Sequence, residues 1–168
     1  MRIQKLHTII TLVVGIGVLC APVHAKDGKT YKHLAIREFE AASDLGLPAD
    51  FKAALDRHLV EQLLKTRRFT NVTLVETGAE PPADADIVLT GKIEKFKKGS
   101  RAARYMIPGL GATSIKAHIE FLDPAAKTSL CQNDVHGKVV IGAFGGDSKG
   151  ATNGMAKGVA KTARKSLP

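Results

Sequence analysis

Residues 115–141 read IKAHIEFLDPAAKTSLCQNDVHGKVVI, and this stretch decides the fold. Its first part alternates between apolar side chains at Ile115, Ala117, Ile119 and Phe121 and polar ones at Lys116, His118 and Glu120. This period of two is typical of a strand with one buried face. The Asp123-Pro124 pair favours a turn, and a second alternating run extends from Leu130 to Ile141. The stretch therefore predicts a β-hairpin.

Charge predicts the register of this hairpin. Placing His118 opposite Asp134 is favourable, whereas a slip of two residues places Glu120 opposite Asp134, where two acids repel. The favoured register also pairs Lys116 with His136, Ala117 with Val135 and Phe121 with Cys131. It predicts that Cys131 is a small buried residue of the inner face.

The remaining elements are read outward from the hairpin. Alternation from Asp86 to Phe96 predicts a strand before it, and His33–Phe39 and Val72–Val75 are short apolar runs typical of strands. Helices are predicted from Leu47-Pro48 to Arg68 and across 155–167. The order β-α-β-β-β-β-α indicates an α+β fold: a single two-layer domain, with a mixed sheet of about five strands and both helices packed on one face.

Both predicted helices are amphipathic. In the first, Phe51, Leu55, Leu59 and Leu63 recur every four residues. Glu61 and Lys65 add a favourable pair on its polar side. In the second, Met155, Val159, Ala163 and Leu167 recur in the same way. Its glycines at 154 and 158 predict a helix that lies close to the sheet.

The amino-terminal residues have the pattern of an export signal. Arg2 and Lys5 precede an apolar run, and Val23-His24-Ala25 has the form that signal peptidase cleaves. The run is too short for a transmembrane anchor. Cleavage after Ala25 is favoured over lipid anchoring at Cys20, because Leu19 stands where lipoproteins carry Gly, Ala or Ser. We therefore expect a cleaved signal peptide over 1–25, a flexible lead-in over 26–32, a globular domain over 33–168, and a periplasmic location.

The segment between the third strand and the hairpin is the candidate binding surface. Residues 99–112 read GSRAARYMIPGLGA, without a hydrophobic period, and follow a strand end rich in lysine. The predicted site consists of Lys97, Lys98, Arg101, Arg104 and Tyr105. Clustered cations beside an aromatic ring favour binding of an anionic surface.

The chain resembles the bacterial envelope family known as domain of unknown function 4410. The resemblance covers the whole mature chain and depends on Leu34–Phe39, Leu47-Pro48, the Gly-Ser-Arg-Ala-Ala-Arg-Tyr segment over 99–105, Gly109-x-Gly111-Ala112 and Phe121-Leu122-Asp123. It implies a small envelope domain whose activity is undefined. Its architecture is similar to that of periplasmic accessory domains, an analogy that does not transfer activity.

Catalytic and metal chemistry find little support in the sequence. No Gly-x-Ser-x-Gly elbow is present, Ser100 has no assignable base, and turn formation explains Asp84 and Asp86 better than acid-base work. His118 and His136 could bind a metal with Asp134, but a solvated sheet face is the simpler interpretation. No cofactor, no metal and no enzymatic activity are expected, with a hydrolase as the residual alternative.

The sequence thus predicts a non-enzymatic accessory domain of the cell envelope that docks a partner through its Arg-Tyr loop. That partner would be an envelope protein or an anionic envelope component. The alternative is a binder of an anionic small molecule or of a lipid or glycan headgroup. Nucleic acid is excluded as a partner, because export removes it and aromatic residues make up only 5% of the chain. The net charge of +9 agrees with an anionic partner and does not define the oligomeric state.

Overall fold

The computed structural model describes residues 30–99, 112–138 and 148–167 of the 168-residue chain. The helices and strands are β1 (His33–Arg37), β2 (Glu40–Ala41), α1 (Phe51–Leu64), β3 (Asn71–Val75), β4 (Ile87–Lys97), β5 (Ser114–Asp123), β6 (Thr128–Lys138) and α2 (Ser148–Ser166). The predicted signal peptide, residues 26–29 and the segment 100–111 lie outside the described residues.

The strands form one mixed sheet in the order β3-β1-β4-β5-β6, with β2 added beside β4. Strand β1 runs parallel to both of its neighbours, β3 and β4, and β4, β5 and β6 are antiparallel neighbours. The predicted α+β class, the five longer strands and the parallel crossover through α1 are confirmed. The additional strand β2 pairs through Glu40 and Ala41 alone, which is too short to show alternation in the sequence.

The hairpin register predicted from charge is confirmed. His118 lies opposite Asp134, and the other pairs are Lys116 with His136, Ala117 with Val135 and Phe121 with Cys131. An irregularity beyond Phe121 brings Leu122 opposite Ser129, so Leu130 is an extra residue on β6. Cys131 is only half-buried, because it lies on an edge strand beside this irregularity. Burial, followed by the nearby Glu120, raises the pKa of its thiol.

Both helices pack on the same face of the sheet. The stripe predicted for α1 is confirmed, since Phe51, Leu55, Leu59 and Leu63 are each at most 1% exposed. Each such side chain contributes about 1.5–3 kcal/mol relative to its exposed state. They join β-strand residues and α2 in one core whose largest sheet members are Leu34, Ile36, Ile87, Leu89, Ile93, Ile115, Ile119 and Phe121. In the described part of the chain, no helix is long and apolar enough to cross a membrane.

Helix α1 begins three residues after Pro48, whose carbonyl accepts a hydrogen bond from the Phe51 amide at 3.0 Å. The Phe51 ring contacts the edge of the Phe96 ring, with centroids 5.7 Å apart. This contact fixes the start of α1 against β4.

Two glycines allow close packing at the inner face. A Cβ at Gly91 would lie 2.3 Å from the Phe39 ring, which therefore covers this position of β4. A Cβ at Gly137 would lie 2.2 Å from the Ala151 carbonyl oxygen of α2. The sequence singled out Gly154 and Gly158, yet a Cβ at Gly158 would make only an ordinary 3.4 Å contact. The closest approach of α2 to the sheet therefore depends on the strand glycine.

Regular packing begins before β1. Tyr31 is buried, and the amides of Lys32 and His33 donate to one carboxylate oxygen of Asp86 at 2.7 and 2.9 Å. The Lys32 carbonyl also accepts a hydrogen bond from the Asn71 amide. The end of the predicted lead-in is therefore fixed between β3 and the start of β4.

Candidate functional site

Lys97 and Lys98, the described members of the predicted site, are exposed at the carboxyl end of β4. The base of the segment that follows is closed by the pairing of Lys97 with Ser114 on β5. Directly beyond this pair, the Gly99 amide donates to the Thr113 hydroxyl at 3.1 Å. Arg101, Arg104 and Tyr105 lie outside the described residues, but both ends of their segment are held at this end of the sheet.

A third strand brings another cation to the same place. Ser114 lies between Lys97 on β4 and Lys138 at the carboxyl end of β6. Lys95 lies on β4 two residues before Lys97, after the irregularity between Ile93 and Lys95. We call the exposed lysines at 95, 97, 98 and 138 the basic end of the sheet. Within the described residues, no salt bridge joins any of them to an acid.

Two acids on the strands that carry these lysines, Glu94 on β4 and Asp134 on β6, have other partners. The Lys116 ammonium lies 2.7 Å from a carboxylate oxygen of Glu94 and 2.8 Å from one of Asp134. His118 donates from Nδ1 to the other oxygen of Asp134 at 2.8 Å. The hydrogen bond from Lys116, followed by that from His118, lowers the pKa of Asp134 to about 2. Hydrogen bonds to Asp134 and Glu94 raise the pKa of Lys116.

This ion-pair network leaves the basic end with uncompensated charge. Lys95 lies directly opposite Lys116, a like-charge pair that would be unfavourable without Glu94 and Asp134. Glu94 and Asp134 form their described salt bridges with Lys116 and His118, and none with Lys95 or Lys97. The open face of the sheet therefore changes from balanced charge at its middle to positive charge at the end that holds the 100–111 segment.

The metal site considered for His118, His136 and Asp134 is not supported by the arrangement of the described side chains. No cluster of three or more His, Cys, Asp or Glu side chains able to hold a metal ion occurs among the described residues. His118 shares the Asp134 carboxylate with Lys116 rather than leaving it free for a cation.

Asp84, His33 and Thr73 form a hydrogen-bonded chain of side chains that the sequence did not indicate. His33 donates from Nδ1 to Asp84 at 3.1 Å, and its Nε2 lies 2.9 Å from the Thr73 hydroxyl. The order carboxylate, imidazole, hydroxyl is that of a hydrolase triad. However, neither of the two clefts described below is lined by these residues. The three side chains connect β1, β3 and the turn before β4, in agreement with the structural role predicted for Asp84 and Asp86.

Two clefts lie at the two edges of the sheet, and neither is lined by a lysine of the basic end. A cleft of about 630 Å³ lies at the β3 edge, lined by Ile36, Glu38, Asp56, Leu74, Val75, Glu76 and Thr77. Burial, with a contribution from Glu38, raises the pKa of Asp56, although Lys52 opposes the shift. A smaller groove of about 320 Å³ lies between β6 and α2, lined by Asn133, Asp134, Val135, His136, Gly158, Lys161, Thr162, Lys165 and Ser166.

Comparison with known proteins agrees with the fold. A family model described as Domain of unknown function (DUF4410) matches residues 23–167. No curated protein matches the chain. Among solved structures, the PelC dodecamer from Paraburkholderia phytofirmans is 14% identical, with a TM-score of 0.56 over 79% of this chain and 89% of that chain.

Two further solved structures show the range of the similarity. A PelC variant from the same organism is 15% identical, with a TM-score of 0.54 over 78% of this chain and 86% of that chain. Lipoprotein GNA1162 from Neisseria meningitidis is 12% identical, with a TM-score of 0.43 over 80% of this chain and 99% of that chain. At such identities, the likeness to PelC is one of fold alone.

Proposed function

This chain belongs to the DUF4410 family, and we propose that it is an exported, non-enzymatic accessory domain of the bacterial cell envelope. Its basic end docks the acidic surface of a partner protein. Lys95, Lys97, Lys98 and Lys138 form the described part of the docking surface, and Arg101, Arg104 and Tyr105 extend it along the adjoining segment.

The observation that carries the proposal is the uncompensated charge of the basic end. Its four lysines are exposed at the ends of β4 and β6, on either side of Ser114 of β5, and no described acid forms a salt bridge with them. Such a patch steers an anionic partner, because unpaired like charges sum to a positive potential over about one Debye length, roughly 8 Å at physiological salt. A partner that supplies carboxylates removes the repulsion among the lysines and gains specificity from complementary charge.

A protein surface fits this site better than a small molecule. Small ligands bind in concave cavities that bury most of their surface. Of the two clefts described above, one lies at the β3 edge and the other between β6 and α2, and neither is lined by a lysine of the basic end. The basic end has the shape of a strand terminus with projecting side chains, which suits contact with another surface.

The test compares two variants of equal charge change. One carries Lys95→Gln, Lys97→Gln and Lys98→Gln at the basic end. The matched control carries Lys32→Gln, Lys65→Gln and Lys127→Gln, three exposed lysines at the opposite end of the domain. The exported proteins are purified from envelope extracts, and co-purifying proteins are quantified by mass spectrometry.

We expect a defined envelope protein whose recovery falls about tenfold with the basic-end variant, equivalent to about 1.4 kcal/mol. The control variant should retain it, and raised salt should release it. Equal recovery with both variants would overturn the proposal. Binding to vesicles of phosphatidylglycerol and phosphatidylethanolamine that is lost with the same variant, without any protein partner, would instead establish the headgroup alternative.

A further inference from the structure

The two outer strands of the sheet have complementary surroundings. Among the described residues, no strand pairs with the outer side of β3 or of β6. Edge strands present unpaired backbone N–H and C=O groups that can pair with another chain. What limits or directs such pairing is the set of side chains along each edge.

The β3 edge is acidic with an apolar centre. Leu74 is 51% exposed although its neighbour Val72 packs against the core, so the end of β3 extends beyond the cover of α1. The adjacent cleft carries the carboxylates of Glu38, Asp56 and Glu76. Lys52 forms a salt bridge with Glu38 and partly offsets the charge of Asp56, whereas no salt bridge of the described residues joins Glu76 to a cation. We call Leu74 and these three carboxylates the acidic edge.

The β6 edge is basic with an apolar floor. Val135 and Gly158 lie at the bottom of the groove between β6 and α2, and Lys161 and Lys165 flank it. The lining carboxylate, Asp134, is already bound by Lys116 and His118 and contributes little free negative charge. We call the groove and its two lysines the basic edge.

We propose that the acidic edge of one copy of this chain docks on the basic edge of a second copy. Leu74 of the first copy covers the apolar floor of the groove, and its carboxylates face Lys161 and Lys165 of the second. The β3 and β6 strands of the two copies lie side by side, so that each supplies partners for the backbone groups of the other. Each copy uses a different edge toward each neighbour, which makes the contact head-to-tail.

A second copy is favoured as the occupant because both complementary surfaces belong to the same chain. Pairing of two acidic edges or two basic edges brings like charges together, which costs free energy and disfavours the symmetric alternatives. The contact leaves three of the four lysines of the basic end free, because Lys95 and Lys97 lie on β4 inside the sheet, Lys98 follows them, and none of the three lines either cleft. Self-association and partner docking are therefore separable by mutation.

The test uses charge reversal at exposed positions of each edge. The first variant, Lys161→Glu with Lys165→Glu, makes both edges acidic. The second, Leu74→Lys with Glu76→Lys, balances the remaining carboxylates of Glu38 and Asp56 with two lysines and removes the apolar centre, so that this edge is no longer acidic. A control, Lys32→Glu with Lys127→Glu, changes the charge as the first variant does but at exposed positions on neither edge. Sedimentation equilibrium of the exported protein gives the mass of each species, and circular dichroism verifies that each variant is folded.

The weight-average mass of the wild type and of the control should rise with concentration up to about 1 mM at low salt. Each edge variant alone should be monomeric over the same range. An equimolar mixture of the two edge variants should associate again, because each supplies the charge that the other requires. A monomeric wild type, edge variants that associate like the wild type, or a mixture that stays monomeric would each overturn the proposal.

Discussion

The substitution Gly137→Ala tests how closely helix α2 approaches the sheet. A Cβ at this position would lie 2.2 Å from the Ala151 carbonyl oxygen and 2.9 Å from the Met155 amide nitrogen, both backbone atoms of α2. An ordinary contact needs about 3.4 Å, so the helix must move away by roughly 1 Å. That movement loosens the contacts of Met155 and Val159, which are fully buried between sheet and helix.

The expected cost is that of overpacking a core, about 1–3 kcal/mol in the free energy of unfolding. For a domain of this size that equals a fall in Tm of about 4–12 °C. Urea unfolding followed by far-ultraviolet circular dichroism measures it. The matched control is Gly158→Ala, whose Cβ would lie 3.4 Å from Val135 and which should gain up to about 1 kcal/mol of helix propensity. A Gly137→Ala protein as stable as the wild type, or a control that loses as much, would refute the reasoning.

Three further predictions concern charge and the core. Asp56→Asn should raise stability at pH 7, because burial raises the pKa of Asp56 in the folded state, so that its ionisation costs stability as pH rises. The gain should shrink as the pH is lowered to the ordinary value of 3.8, and a gain independent of pH in urea titrations would contradict this cause. Lys116→Gln should raise the pKa of Asp134 from about 2, because the carboxylate loses its hydrogen bond from Lys116. Carbon NMR of the Asp134 carboxyl group measures this pKa, and an unchanged value would exclude the ion pair. Leu55→Ala should cost about 2–5 kcal/mol in urea unfolding, whereas Leu64→Ala, at a position 41% exposed, should cost less than about 1 kcal/mol; equal costs would contradict the core assignment.

The hairpin could be predicted in detail because its information is local. A period of two defines the inner face of β5, and the opposite charges of His118 and Asp134 select one register. The stripe of α1 was equally readable, since each of its members faces one continuous core. Both predictions needed only the spacing of residues within one element or between two neighbouring strands.

Contacts between distant segments could not be predicted in this way. The bonds of His33 to Asp84 and Thr73 join residues 51 and 40 positions apart, and no sequence spacing indicates them. The packing of Phe39 over Gly91 and the burial of Tyr31 likewise depend on the tertiary arrangement.

The candidate site contains residues that a local sequence pattern identifies and residues that only the tertiary arrangement brings together. The lysines at 97 and 98 were identifiable as a cluster along the chain. Lys138 joins them only because β5 lies between β4 and β6. The removal of Glu94 and Asp134 from the charge balance follows from the position of Lys116, which the sequence does not disclose. The uncompensated character of the basic end is therefore a tertiary property.

Docking of an acidic partner protein at the basic end is tested most directly by site-specific photocrosslinking in the cell. A photoreactive residue replaces Ser114, which lies between Lys97 and Lys138, and in a control it replaces Thr128 at the far end of β6. The account predicts one envelope protein attached from position 114, absent from position 128, and lost when Lys95, Lys97 and Lys98 are changed to Gln. The same adducts from both positions, or an adduct that survives the lysine changes, would contradict it.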